Sequence, residues 1–236
     1  AATYEADPDT RYLTIQNYVT TRKKGTGADR YYDRAMHSRV VKVEGGVDLG
    51  VKRRADYASV DNPTRYFATV FTELLEQAGI EVVEGPADID DFEDKTVFKR
   101  LRRRVASYQS PPMSELIHVI NKRSQNFYAE QVLRTVGLKA KGVGGYSAGC
   151  QAVKEFLRKN GIDTGSFNME DGSGLGWANR TSPKTLAELL KFMHGHKYGD
   201  IFKDSLPIGG DRIGTLRMRF GETSAQRKVA SKILGK

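Results

Sequence analysis

Six polar residues at 121–126, Asn-Lys-Arg-Ser-Gln-Asn, separate two stretches in which apolar residues recur at helical spacing. The first stretch includes Leu116 and Ile120, and the second begins at Phe127. A junction between two helices is suited to chemistry or ligand binding, because both helices fix the geometry of its hydroxyl and amide groups. By itself, the triplet Ser124-Gln125-Asn126 is equally well explained as a polar helix-cap segment.

A second polar cluster lies further along the chain. It consists of residues 171–175, Asp-Gly-Ser-Gly-Leu, followed by Asn179 and Ser182. The two clusters have a defined order, and together they are more informative than either one alone.

The segment 145–149, Gly-Tyr-Ser-Ala-Gly, matches the G-x-S-x-G pattern of the nucleophile elbow of α/β-hydrolases. That elbow requires a buried apolar strand directly before it, whereas the preceding residues 138–144 are Leu-Lys-Ala-Lys-Gly-Val-Gly. This context favours a glycine-rich helix entry with Ser147 near the cap. An α/β-hydrolase that uses Ser147 remains an alternative, with His194 or His196 as its late histidine.

Metal and redox chemistry have little support in the sequence. His194 and His196 form a pair, but His37 and His118 lie at no spacing that would complete a metal site. Cys150 is the only cysteine, and its apolar neighbours at helical spacing favour a buried structural thiol. The sequence therefore predicts neither a metal nor a cofactor.

The elements that must position these residues divide into a β-rich beginning and a helical remainder. Residues 1–61 contain alternating apolar residues on either side of a polar, glycine-containing loop, predicted at Arg22–Arg34. The alternating residues are Leu13, Ile15, Val19, Val41, Val43 and Val47.

Helical patterns follow from residue 62 onward. Asn62-Pro63 is a typical helix start, and the helix that it begins should end at Gly79, before a short strand at Ile80–Val83. The helix should be amphipathic, with an apolar face made of Tyr66, Phe67, Val70, Phe71, Leu74, Leu75 and Ala78. Further helices are predicted on both sides of the junction at 121–126. Two more are predicted, one from Ser147 to Asn160 and one beginning at Ser182-Pro183.

Composition limits the class of protein. With 39% hydrophobic residues and 28% charged residues in 236, the chain fits a globular domain, and no stretch of the sequence is long and apolar enough to predict a transmembrane segment. The formal net charge of +9 includes the basic residues of the run at 99–104. No nucleic-acid-binding motif accompanies that run, so we predict a solvated basic face and no nucleic-acid partner, although an anionic polymer such as the bacterial wall would suit it.

Five segments, in order, resemble one enzyme family across roughly residues 60–230. The chain is similar to the penicillin-binding D-alanyl-D-alanine carboxypeptidases and endopeptidases of the low-molecular-mass class C type. The segments are Ser110-Pro111-Pro112-Met113-Ser114-Glu115-Leu116, residues 121–130, the Asp171 cluster, Ser205-Leu206-Pro207 and Gly214-Thr215-Leu216.

The resemblance implies a mixed α/β (α+β) fold. Residues 62–236 would form part of a serine β-lactamase/transpeptidase-like domain, and residues 1–61 the tail of a β-rich inserted domain. It also implies a serine acyl-enzyme mechanism that cleaves peptidoglycan stem peptides and is inhibited by covalent β-lactams. The location would be periplasmic or extracellular, in the cell envelope.

The resemblance also assigns site residues. Ser124 and Asn126 correspond to the catalytic S-x-N motif of the family, in which the hydroxyl relays a proton and the amide hydrogen-bonds the substrate backbone. The segment Asp171, Gly172, Ser173 and Gly174 corresponds to a signature close to the active site, and we interpret it as a substrate-binding segment with a structural role. Lys236 could be the first residue of the Lys-Thr-Gly motif.

Two family motifs are missing from the sequence. None of the thirteen serines has a lysine three residues later, and no Lys-Thr-Gly or Lys-Ser-Gly occurs. We therefore expect the chain to be a fragment whose nucleophile lies outside it, and we expect the isolated chain to be inactive. The alternative is a noncatalytic relative that binds the cell wall.

Overall fold

The computed structural model describes residues 2–51, 55–96, 106–211, 213–217 and 219. The chain divides into two compact units, one on each side of the bond between residues 105 and 106. Strands occupy the first unit and most of the helices the second, so the predicted mixed α/β class is observed. The predicted domain boundary after residue 61 stays a prediction.

A mixed β-sheet forms most of the first unit. Its described strands are β1 (Thr14–Asn17), β2 (Thr20–Arg22), β3 (Asp29–Asp33) and β4 (Val40–Asp48). β1 and β2 both run parallel to β4, in one continuous register. β3 runs antiparallel to β4. Val41 and Tyr12 are among the most buried apolar side chains of this unit.

Strand β3 corrects one expectation from the sequence. The polar segment Arg22–Arg34 was predicted to be a loop, yet Asp29–Asp33 pairs along its whole length with β4. Its side chains are only half-buried or exposed, so no apolar alternation marks the strand. The backbone ladder holds it in place, and the side chains of Arg30 and Tyr32 both hydrogen-bond the carboxylate of Asp56.

Helix α1 (Pro63–Gln77) begins and ends where the sequence predicts. The side chain of Asn62 accepts a hydrogen bond from the backbone N–H of Arg65 at 2.9 Å, and Gly79 takes a left-handed conformation after the helix. The apolar stripe of α1 is less buried than expected: Phe67 is 69% exposed, and its ring stacks on Phe71.

The predicted strand at Ile80–Val83 is wrong. Both of these side chains are exposed, and the described residues contain no strand that pairs with this segment. A strand needs a neighbouring backbone to complete its hydrogen bonds, and an apolar run of four residues does not supply one.

The second unit consists mainly of helices. They are α2 (Met113–Arg123), α3 (Asn126–Lys141), α4 (Tyr146–Lys159), α5 (Pro183–His194) and α6 (Gly199–Ser205). The predicted helices correspond to α2, α3, α4 and α5. Both ends of α4 and the start of α5 lie within one residue of the prediction, whereas α2 continues to Arg123, three residues into the predicted junction at 121–126. Helix α6 was not predicted, since its seven residues are too short to show a helical period.

Helices α3 and α4 pack with their backbones close together. A Cβ atom placed on Gly149 would lie 2.4 Å from the carbonyl oxygen of Leu133, and one on Gly137 would lie 2.7 Å from the Gly149 nitrogen. Leu133 on α3 and Ala152 and Leu157 on α4 are buried. Glycine at 149 therefore permits a close helix crossing that orients α3.

We expect Gly149→Ala to destabilise the protein. The added methyl group overlaps a backbone carbonyl, which cannot rotate away, and such overpacking costs about 1–3 kcal/mol. Thermal unfolding measures the loss. Gly144→Ala is the matched control, because its Cβ would have no neighbour closer than 3.8 Å. Equal stability of the two variants would contradict the close packing of α3 on α4.

Candidate active site at the junction of α2 and α3

Ser124 lies in the two-residue connection between α2 and α3, as the sequence predicts. It ends α2 in a left-handed conformation, with φ 54° and ψ 50°, and its N–H donates to the carbonyl of Ile120. Gln125 returns to extended backbone and precedes Asn126, the first residue of α3. A serine is strained in this conformation, so the turn holds the Ser124 hydroxyl at a cost in stability.

The side chains of Ser124 and Asn126 are available to a ligand. Ser124 is exposed and Asn126 is half-buried. Among the residues that the structure describes, neither side chain has a hydrogen-bond partner. A hydroxyl and a carboxamide are thus presented two residues apart at the start of a rigid helix.

Two more segments of the family resemblance anchor the end of α2. The side-chain amide of Asn121 donates to the Ser205 hydroxyl at 2.8 Å, and that hydroxyl donates to the carbonyl of Phe202 at 2.6 Å. Ser205 is 1% exposed. Gly214 lies against the carbonyl of Lys122, where a Cβ would come within 3.3 Å. The end of α2 is therefore held by contacts with α6 and with Gly214.

The loop at 171–176 is attached to α3 by one carboxylate. The two oxygens of Glu130 accept hydrogen bonds from the N–H groups of Gly172, at 2.8 Å, and Ser173, at 3.0 Å. Glu130 was part of the resemblance but was not predicted as a site residue. Its spacing of four residues from Asn126, which is one helical turn, is the signal that could have identified it.

Asp171 organises the loop from within. Its carboxylate accepts from the N–H groups of Gly174 and Gly176, both at 2.6 Å. Burial raises the pKa of the Asp171 carboxyl, but these two hydrogen bonds and those from the side chains of Asn179 and Ser173 outweigh burial and leave the pKa below its usual value. Asp171 is therefore an ionised structural residue of the loop.

This lowered pKa predicts how the loop responds to acid. A carboxyl group whose pKa is lowered by folding stabilises the folded state. The stabilisation is fully present at a pH above the pKa of the group in the unfolded chain, which is about 3.9, and it is lost as the pH falls through the pKa in the folded state. We expect the NMR resonances of the Gly174 and Gly176 amides to shift with a midpoint below that of a free aspartate. Asp171→Asn should remove the transition, and a midpoint at or above about 4 would contradict the assignment.

The structure thus brings together most, but not all, of the predicted site residues. Ser124 and Asn126 share the junction, and Asp171, Gly172, Ser173 and Gly174 form a loop that lies against α3, one turn from Asn126. Lys236 lies outside the described residues. Its predicted role stays a prediction.

The α/β-hydrolase alternative finds no support. Ser147 is the second residue of α4, after the helix cap at Gly145, and the side chain is exposed. The four residues before the helix follow directly on α3, and no strand precedes them in the described range 106–145. The nucleophile elbow needs a strand at that point, so the context that defines it is missing.

Cys150 is half-buried on α4. Burial raises the pKa of its thiol most, and the nearby negative charges of Asp171 and Glu130 raise it further.

The described part of the chain holds no group of three or more metal-ligating side chains. None of its helices combines the length and apolar character that crossing a membrane would require.

Sequence comparisons relate the chain to carboxypeptidases. It is 27% identical to the D-alanyl-D-alanine carboxypeptidase of Actinomadura sp. (strain R39) over 229 residues, which is 94% of this chain and 41% of that protein. It is 34% identical to carboxypeptidase DacB of Mycolicibacterium smegmatis over 128 residues, which is 53% of this chain and 28% of the relative. The chain spans less than half the length of these curated relatives.

Solved structures share the fold. Penicillin-binding protein 4 of Haemophilus influenzae, in a crystal structure with a β-lactam, has a TM-score of 0.65 at 23% identity, covering 89% of this chain and 47% of that one. A second structure of the same protein gives a TM-score of 0.64 at 25% identity, covering 89% and 46%. The profile of the D-Ala-D-Ala carboxypeptidase 3 (S13) family matches residues 1–233. The chain therefore belongs to the S13 family of D-Ala-D-Ala carboxypeptidases.

Proposed function

We propose that this chain is part of a serine-type D-alanyl-D-alanine carboxypeptidase or endopeptidase that acts on peptidoglycan stem peptides. The observation that carries the proposal is the junction of α2 and α3, where Ser124 and Asn126 present side chains without partners among the described residues, in a chain of the S13 family. The enzyme works in the cell envelope, periplasmic or extracellular.

Asn126 hydrogen-bonds the peptide backbone of the substrate. Its carboxamide offers both a donor and an acceptor, which matches an extended peptide that presents an N–H and a C=O. Because Asn126 is fixed at the first position of α3, its amide can be preorganised for this contact. Asp171, Gly172, Ser173 and Gly174 border the substrate next to it, and Lys236 contributes the first residue of the Lys-Thr-Gly motif.

Ser124 relays a proton during the reaction. A nucleophilic serine attacks the carbonyl between two D-alanines, an ester forms, and the departing amine of the terminal D-alanine takes up the proton that the nucleophile lost. The Ser124 hydroxyl can accept and donate a proton in the same step, so it can connect the nucleophile's base with the leaving amine. Water then attacks the ester carbonyl and restores the serine.

The nucleophile comes from outside these 236 residues. None of the thirteen serines has the lysine three residues later that the S-x-x-K motif requires. The share of the relatives that the chain covers, 41% of the Actinomadura protein and 38% of a penicillin-sensitive carboxypeptidase from Dictyostelium discoideum, supports a longer enzyme. β-Lactams acylate that enzyme in place of the peptide.

A fluorescent penicillin tests the proposal. The complete polypeptide, meaning the longer enzyme of which these 236 residues are proposed to be a part, should retain one label per molecule after denaturation. It should also release D-alanine from a peptide ending in D-Ala-D-Ala. The isolated 236-residue chain should retain no label. A complete polypeptide that binds purified peptidoglycan without forming a covalent label would instead support the noncatalytic alternative and refute the proposed function.

A further inference from the structure

Glu130 links the loop at 171–176 to the helical face that carries Asn126. Its carboxylate accepts from both the Gly172 and Ser173 amides, and its position is one turn after Asn126. Residues four apart lie on the same face of a helix, separated by about 6 Å along its axis. The loop is therefore held at a defined distance from the proposed substrate-binding amide.

Steric contact fixes the same distance independently. A Cβ on Gly172 would lie 2.5 Å from the carbonyl oxygen of Ala129, so the backbone of the loop touches the backbone of α3. Only glycine permits this approach. The two hydrogen bonds to Glu130 set the orientation of the loop, and the contact at Gly172 sets how near it comes.

Hydrogen bonds within the loop give it an internal structure of its own. The Asp171 carboxylate bridges the Gly174 and Gly176 amides, and the Asn179 side chain accepts from the Glu170 N–H at 2.8 Å. Residues 170–179 are therefore connected to one another by hydrogen bonds that do not involve Glu130.

We propose that Glu130 is a positioning residue: it sets the orientation of the 171–176 loop beside Asn126 and so aligns the acyl donor for attack. Glu130 acts through the loop and does not touch the substrate. This inference rests on the proposed function, since it takes Asn126 as the substrate contact. The acyl donor is the D-Ala-D-Ala peptide or a β-lactam.

Glu130→Gln in the complete polypeptide tests the inference. Glutamine offers one carbonyl oxygen in place of two carboxylate oxygens and sets an NH₂ group against the second backbone N–H. We expect the rate constant of acylation by a fluorescent penicillin to fall about 10-fold, the equivalent of one hydrogen bond to a charged group. Glu155→Gln is the matched control: Glu155 pairs with Lys141 on the surface of α3 and α4, and its loss should leave the rate unchanged.

Two further measurements separate positioning from a general structural role. The rate constant is expressed per titratable active site, so misfolded molecules do not count. In an Asn126→Ala background the effect of Glu130→Gln should shrink, because both residues act on one contact. An unchanged rate constant per site, with only fewer titratable sites, would overturn the inference, and so would full additivity of the two substitutions.

Hydrogen–deuterium exchange tests the attachment without any substrate. The peptide covering residues 171–176 should exchange faster in Glu130→Gln than in the wild type or in Glu155→Gln. If the wild-type protein forms no acyl-enzyme, the proposed function fails, and the exchange measurement still decides whether Glu130 holds the loop. Unchanged exchange would overturn the positioning role even in an active enzyme.

Discussion

Asn126→Ala is expected to reduce acylation of the complete polypeptide by a fluorescent penicillin by about 10²–10³-fold, the loss that follows removal of one preorganised hydrogen-bond donor from an active site. The side chain has no hydrogen-bond partner among the described residues, so its removal leaves none of their polar groups unsatisfied. Thermal stability should therefore stay near that of the wild type. The expected result is a loss of rate without a loss of fold.

The matched control for this variant is Asn160→Ala. Asn160 ends α4, and its side-chain amide donates to the Phe156 carbonyl at 2.7 Å. Its replacement should cost about 1 kcal/mol or less of stability, as loss of one neutral hydrogen bond does, and should not change acylation. Asn126→Asp provides a second variant of similar shape that loses the donor. If Asn126→Ala acylates at the wild-type rate, Asn126 is not a substrate contact.

Local signals made the helices predictable. Asn62 and Ser182, each followed by proline, cap α1 and α5, and both side chains accept the backbone hydrogen bond that an N-cap makes. Such signals act within three or four residues, so a single sequence contains all of the information. The position of Ser124 and Asn126 between two helices followed from a different local signal, the apolar residues at helical spacing on both sides of a polar segment.

Long-range contacts were the part that sequence patterns did not predict. Strand β3 has no apolar alternation, and it exists because β4 offers a backbone to pair with. The carboxylate of Glu130 meets Gly172 at a separation of 42 residues in sequence. No periodicity reports such a pair, because it depends on how α3 and the loop are arranged in three dimensions.

Exposed apolar residues mark a second limit of pattern analysis. Helical spacing identified Phe67, Phe71 and Leu74 as one face of α1, and that face exists, but all three side chains are more than half exposed. Periodicity indicates which residues share a face and does not by itself show what covers the face.

Ser124→Gly should make the protein more stable and the enzyme much slower. Ser124 has φ 54°, a conformation that costs a residue with a Cβ about 1–2 kcal/mol, whereas glycine adopts it freely. The greater freedom of glycine in the unfolded chain costs about 0.5–1 kcal/mol, so a small net gain in the free energy of unfolding remains. Loss of the hydroxyl that relays a proton should reduce acylation by about 10²–10⁴-fold.

The opposite signs of these two effects make the result specific. His37 is the other described residue, apart from glycines, with a positive φ, at 60°, and it lies in the first unit. His37→Gly should give a similar gain in stability with no change in acylation, which makes it the matched control. Ser124→Ala should lose the rate and keep the strain. If Ser124→Gly is stabilised yet acylates at the wild-type rate, the left-handed turn at Ser124 serves only to end α2, and the hydroxyl has no part in the reaction.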